Sequence, residues 1–309
     1  MASRGRARRR ARGPFERRGV VAALVLPGAA VLVFALAVPL GFSAYYSLTD
    51  WAGFGDYRSV GLDNYREILA EDPVFWRSLW NVVLLMMVTI FVQNPVAFAL
   101  AAVLSRTSAR ASRALRTVYF VPAVLSLVIV AKLWVELFNP NAGLVNKLLI
   151  AIGLKALAMS WLSDPRTAVW AVIWIIVWQG FGWALLFYYA GLMTVPRELE
   201  EAARIDGASW LQVYTRVIIP YLAPVISAVI VIDVVSSMKQ MELIYLSTAG
   251  GPGQLTQFIG VYLYQKAFVA GEYGYGNALS VLFVVVSLGL TLLVQRFLRA
   301  VPRDARDGG

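Results

Sequence analysis

From Ser78 to Leu104 the chain runs without a single charged residue. A segment that long and apolar is at home in hydrocarbon, where each backbone N–H and C=O must find a partner inside the protein. A helix meets that demand within one segment, and about 20 residues of it cross a bilayer core. Six such runs follow one another: Val20 to about Leu48, Ser78 to Leu104, Thr117 to Phe138, Thr167 to Val195, about Tyr221 to Leu243, and Tyr273 to about Phe297. The pattern predicts an all-α integral membrane protein with six transmembrane helices. Pro27 and Pro39 fall inside the first run and mark expected kinks, and Pro95 lies inside the second.

Composition agrees and narrows the chemistry. Of 309 residues 59% are hydrophobic and only 15% charged, with a mean hydropathy of +0.67. Soluble domains carry about 25% charged residues. There is no Cys and no His. That removes disulfides, thiol chemistry, the commonest general base and the commonest metal ligand. Metal-dependent hydrolysis and His-based triads are thereby disfavoured.

The net charge of +10 raises the question of nucleic acid, but its distribution points to lipid. Eight arginines crowd the first 18 residues, immediately ahead of the first apolar run. Such an arm faces anionic lipid and sets topology, and no nucleic-acid partner is expected. The uncharged run from Val20 to Thr49 far exceeds a signal-peptide core of 7–15 residues, so an uncleaved span is expected. Residues 1–19 are therefore read as a basic cytoplasmic arm and 20–309 as one membrane domain, with its core over about 78–298. With the N-terminus inside, nineteen Lys and Arg fall on the inner side and seven on the outer. The asymmetry predicts a multi-pass protein of the bacterial plasma (inner) membrane with both termini cytoplasmic.

One short polar stretch interrupts the membrane pattern at 196–220. Pro196 suits a first helical turn. Glu198, Glu200 and Glu201 sit where the helix dipole favours negative charge. Asp206-Gly207 signals a turn, and Ser209 with Gln212 matches a capping box that starts a second helix. A surface helix at the lipid interface is one reading, yet anionic lipid would repel its acids; a socket for a basic groove on another protein fits better.

The residues of this stretch carry a resemblance. Glu201-Ala202-Ala203-Arg204-Ile205-Asp206-Gly207-Ala208, then Tyr214, Ile218 and Pro220, resembles the EAA loop of permease subunits in bacterial ABC importers. Tyr214 stands where that family usually has Phe, and Ile219 where it has Leu. Ser247-Thr248-Ala249-Gly250-Gly251-Pro252 is similar to a segment of the carbohydrate-uptake branch, typified by maltose and glycerol-3-phosphate importers. Tyr264 to Phe268 and Tyr275 to Ser280 resemble the approach to that branch's last span. The resemblance covers about Thr167 to Phe297; the first two spans match in length and order alone.

The resemblance implies a type I importer permease fold in which Glu201, Ala202, Ala203, Asp206 and Gly207 belong to a coupling helix that docks into an ATPase subunit. It implies as partners a second permease subunit in a heterodimer, two ATPase subunits and an extracytoplasmic solute-binding protein. The chain has no G-x-x-x-x-G-K-[ST] loop, so the expectation is a translocation subunit and not an enzyme. No cofactor is expected in this chain; ATP and Mg²⁺ would bind the partner ATPase.

The fifth run contains Asp233, Ser236, Ser237 and Gln240, at a spacing that shares one helical face. Such a face serves either as interhelical glue or as the wall of a polar cavity. The resemblance carries substrate contacts onto these four positions and onto Ile176, Gln179, Gly180 and Trp183 of the fourth run. Trp170, Trp174 and Trp178 recur every four residues and read as a packing or lipid-facing stripe. Lys132 with Glu136, and Lys239 with Glu242, are spaced to pair with each other. The implied function is ATP-driven, binding-protein-dependent import of a mono- or oligosaccharide. The alternatives are the same fold carrying a glycerol phosphodiester or polyol, and an ion-coupled transporter using Asp233.

Overall fold

The computed structural model describes residues 18–300. The basic arm lies outside the described residues as far as residue 17, as do Arg303 and Arg306. Helix α1 spans Arg18–Tyr46 and presents exposed apolar side chains from Leu24 to Phe42. The following loop closes on an antiparallel bridge between Thr49 and Ser59. The short α2 (Asp63–Arg66) and a wide turn lead to α3 (Pro73–Val88). Asp72 starts α3 by accepting from the backbone N–H of Val74 and Phe75, at 2.8 and 3.2 Å, with Pro73 in the first turn. After a π turn at Thr89–Gln93 the same span continues as α4 (Asn94–Arg106).

Next come α5 (Ala109–Val124), α6 (Leu127–Leu137) and α7 (Leu144–Ala151), then the long α8 (Ala168–Leu192). The polar stretch folds as α9 (Arg197–Ile205) and α10 (Trp210–Val213). A π turn at Tyr214–Ile218 joins α10 to α11 (Ile219–Tyr221). The chain ends as α12 (Ala223–Met238), α13 (Glu242–Thr248), α14 (Ile259–Tyr264) and α15 (Tyr273–Ala300).

Among the described residues four helices are long and apolar enough to cross a membrane: Ala22–Tyr46, Pro73–Arg106, Ala168–Leu192 and Tyr273–Leu298. Two bent pairs, α5 with α6 and Trp210–Tyr221 with α12, bring the number to six if each is one crossing. Both bends correct the expected spans. The run from Thr117 to Phe138 is not one helix: Leu125 and Ser126 take extended backbone, with ψ of 146° and 137°, and the axis turns by 98°. The run from Tyr221 to Leu243 bends by 71° near Leu222, ahead of Pro224, which has no N–H to continue the ladder. Its helix then stops at Met238, five residues short of Leu243, because the chain turns at Lys239. There the Gln240 carbonyl lies 3.4 Å from the place a Cβ on Gly260 would occupy.

The packing divides into two apolar layers. One gathers Phe75, Leu85, Ile173, Ile176, Ile244, Phe258 and Leu279, among others, from α3, α8, α13, α14 and α15. The other gathers Ala101, Leu104, Leu185, Tyr188, Tyr214 and Ile218 from α4, α8 and the EAA-loop end of the chain. Within the second layer small residues set the spacing. A Cβ on Gly191 would stand 3.1 Å from Val225, so α8 and α12 touch closely there. A Cβ on Gly182 would stand 2.5 Å from the Tyr119 carbonyl, so α5 crosses α8 backbone against backbone.

Candidate functional site

Between the two apolar layers lie polar side chains that hydropathy alone would leave out. Gln93 and Asn94 are both buried, at 5% exposure, where the π turn passes into α4. A π turn rotates the side chains that follow it out of the regular helical register, and such turns gather at functional sites. Here it directs the second span to two neighbours. Gln93 Nε2 lies 3.9 Å from where a Cβ on Gly180 would stand, on α8. Asn94 Nδ2 donates to Asp233 Oδ2 at 2.8 Å, on α12. Gln93 and Asn94 were not singled out from sequence; the signal was available as two adjacent amides before Pro95 in an otherwise apolar run.

On α12, Asp233 is half-buried, Ser236 is exposed and Ser237 is buried. These three share the helix, but Gln240 lies past its end in the turn at Lys239–Met241, so the four-residue face stops at Ser237. On α8, Gln179 and Gly180 are half-buried, while Ile176 is buried within the first apolar layer. Trp183 is half exposed and packs edge-to-face on Phe120, with ring centroids 5.0 Å apart. Trp170 and Trp174 are exposed; Trp178 packs against Trp134 at 5.3 Å. Among the described residues neither Lys132 with Glu136 nor Lys239 with Glu242 closes an ion pair: all four side chains lie exposed, and Lys239 and Glu242 fall past the end of α12, on either side of the turn into α13.

At the EAA-loop end, α9 buries none of its residues, and Ile205 is 86% exposed. Glu201, Ala202, Asp206 and Gly207 are exposed, while Ala203 packs against the second apolar layer. Gly207 takes a φ of +81°, the left-handed turn that glycine adopts freely. The capping box forms as expected: Ser209 N–H donates to Gln212 Oε1 at 2.7 Å and Gln212 N–H to Ser209 Oγ at 3.4 Å. Arg106, at the end of α4, donates to Glu200 at 2.7 Å and to Tyr214 Oη at 3.0 Å. The exposed loop is thus tied to the second span by one guanidinium.

At the opposite end, Asp72 gathers three elements. Its Oδ2 accepts from Tyr262 Oη on α14 at 2.5 Å and from Tyr275 Oη on α15 at 2.6 Å, while Oδ1 caps α3. Burial pushes this carboxyl up, but the bonds from the two phenols and from the Phe75 and Val74 N–H groups together hold it below its ordinary value. Burial and the bond to Asp72 push the Tyr262 phenol up. Nearby, Asn81 Nδ2 donates to the carbonyls of Leu255 and Gln257, both at 2.8 Å, and so fastens α3 to the loop after Gly250-Gly251-Pro252.

A family model described as binding-protein-dependent transport system inner membrane component matches residues 93–307. The chain belongs to that family. The match takes in Gln93 and Asn94 as well as everything that the EAA loop and the Gly-Gly-Pro segment had marked. The permease is 33% identical to the probable ABC transporter permease protein YurN of Bacillus subtilis over 282 residues, 91% of this chain and 96% of that one. It is 31% identical to the multiple sugar-binding transport system permease protein MsmF of Streptococcus mutans, over 83% of this chain and 88% of that one. Its fold superposes on a solved bacterial ABC transporter that imports the acidic polysaccharide alginate, with a TM-score of 0.78 and 24% identity over 93% of this chain and 97% of that one. The permease is therefore a translocation subunit of a binding-protein-dependent ABC importer with the type I permease fold, working with ATPase and binding-protein partners in the inner membrane.

Proposed function

We propose that this permease imports a sugar, and that its path runs along the polar layer where α8, α12 and the π turn meet. The observation that carries the reading is Asp233: a carboxylate at mid-span is costly in lipid, yet it is held here by a buried amide. The name of a relative 31% identical, a multiple sugar-binding transport permease, points to the same class of cargo. In this reading Asp233, Ser236, Ser237 and Gln240 contact substrate from one side, and Ile176, Gln179, Gly180 and Trp183 from α8. Of these, Ile176 contributes through the apolar layer behind the contact, and Gln240 from the turn beyond α12.

Glu201, Ala202, Ala203, Asp206 and Gly207 form the surface on which one ATPase subunit docks. A second permease pairs with this chain as a heterodimer, a second ATPase pairs with the first, and a solute-binding protein delivers sugar from outside. ATP and Mg²⁺ stay on the ATPases. In this reading both termini face the cytoplasm, a placement supported by the excess of Lys and Arg that it puts on that side.

The test is uptake of radiolabelled neutral sugars by proteoliposomes holding the assembled importer and its binding protein. Asp233→Ala should lower uptake roughly tenfold or more, since an unmet buried polar group costs about 1–3 kcal/mol. Uptake that needs no ATPase, or that is normal in both Asp233→Ala and Gly180→Leu, overturns the reading.

A further inference from the structure

Asn94 has an unanswered acceptor. Its Nδ2 faces Asp233, because only the amide nitrogen can donate to a carboxylate. That orientation fixes Oδ1 on the other side of the side chain. Asn94 Oδ1 is buried and has no hydrogen-bond partner among the described residues. Buried carbonyls without a donor are rare, and each asks for an explanation. Asp233 makes no other hydrogen bond and no ion pair among the described residues. Asn94 Oδ1 and the Asp233 carboxylate therefore both present acceptors, while one Asn94 N–H is committed to Asp233 and neither side chain meets a cation in an ion pair among the described residues.

We propose that Asn94 Oδ1 and Asp233 form an acceptor pair that takes hydroxyl donors of an uncharged sugar and rejects sugars bearing a carboxylate, sulfonate or phosphate at that position. The inference rests on the reading that Asp233 lines the path. A hydroxyl can donate to either acceptor and satisfies the orphan carbonyl. An anionic group has no proton to donate and brings like charge against Asp233 where water is scarce, which is discrimination by repulsion as well as by fit. Asn94 is both a contact and a positioning residue: its Nδ2 holds the carboxylate still while its Oδ1 receives the sugar. Gln93, against Gly180, braces the same turn from α8.

The experiment is equilibrium binding to the assembled importer in detergent without its binding protein, so that delivery does not preselect the ligand. The probes are a panel of radiolabelled neutral mono- and disaccharides and their uronic-acid counterparts. The expected result is at least one neutral member bound by the wild type, with its uronic acid at least tenfold weaker. Asn94→Ala should weaken the neutral sugar about tenfold, and Asp233→Asn should narrow the neutral-to-acid gap to under threefold. Asn94→Ser keeps a donor for Asp233 and removes the orphan carbonyl, and should behave like Asn94→Ala; basal ATPase activity reports assembly of each variant. Uronic acids bound as tightly as neutral sugars, no neutral sugar bound, or unchanged affinity in both Asn94 variants overturns the proposal. If uptake still falls in Asp233→Ala, the path reading stands and only the selectivity fails; normal uptake there removes both.

Discussion

Arg106 Nη2 and Glu200 Oε2 stand 2.7 Å apart, joining the end of α4 to a helix 94 positions later in the chain. The same guanidinium reaches Tyr214 Oη and stacks over its ring, 5.3 Å from the centroid. Both partners are about one-third exposed or less, so the pair is screened only in part. Arg106→Ala should free α9 from the second span at a cost of about 1 kcal/mol. The measurement is sugar transported per ATP hydrolysed, and a severalfold fall is expected with the ATPases still bound. An unchanged ratio would show that α9 is held elsewhere.

The turn after α9 depends on backbone conformation alone. Nothing lies within 4 Å of a Cβ built on Gly207, yet its φ is +81°. Gly207→Val should therefore strain the turn by about 1–3 kcal/mol without any clash. Glu201→Lys instead reverses charge on the exposed face. Both should abolish most substrate-stimulated ATPase activity while membrane insertion, read by protease protection, stays normal.

Asp72 ties α3, α14 and α15 through one carboxylate, and its sign with pH follows from its depressed value. A carboxyl that ionises more readily when folded stabilises the fold above its unfolded pKa of about 3.9. That contribution is lost as pH falls through the folded value. Thermal unfolding of the purified protein should show wild type losing its advantage over Asp72→Asn below about pH 4. At pH 7, Asp72→Ala should cost about 1–2 kcal/mol through the lost cap alone. A difference between Asp72→Asn and wild type that does not change with pH would rule out the ionised carboxylate as the tie.

The crossing of α5 over α8 has no room for a side chain. A Cβ on Gly182 would stand 2.5 Å from the Tyr119 carbonyl and 2.8 Å from the Phe120 Cα, both backbone atoms. Gly182→Ala should lower stability by about 1–3 kcal/mol, the usual cost of overpacking. Gly289, with nothing within 4 Å, is the matched control, and Gly289→Ala should be neutral or slightly stabilising in the same melt.

The charge asymmetry predicts which loops face which side. The chain has no native Cys, so a single introduced thiol gives a clean signal. Ser108→Cys should react with an impermeant maleimide only from the cytoplasmic side, and Ser59→Cys only from outside. Both sites are exposed. Reversed labelling would invert the topology and move α9 away from any ATPase.

What was legible from the amino acids was local. Apolar runs long enough to cross a bilayer report a transfer free energy that each segment carries by itself, and the ends of α8 and α15 fall close to where hydropathy puts them. The EAA loop was equally readable: the helix start at Pro196, the turn at Asp206-Gly207 and the Ser209–Gln212 box are each set by residues at most three apart. The breaks at Leu125 and Lys239 were not readable: the run around Leu125 stays apolar, the polar residues around Lys239 keep a helical spacing, and each break is set by what packs across it. That is why Gln240, a periodic partner of Asp233 on paper, leaves the helix before reaching its place. The site itself came from distance. Asn94 meets Asp233 across 139 residues, and Asp72 meets Tyr262 and Tyr275 across 190 and 203. No periodicity encodes such pairs. They exist because a buried donor or acceptor must be answered, and only the folded bundle decides which distant residue is near enough to answer it.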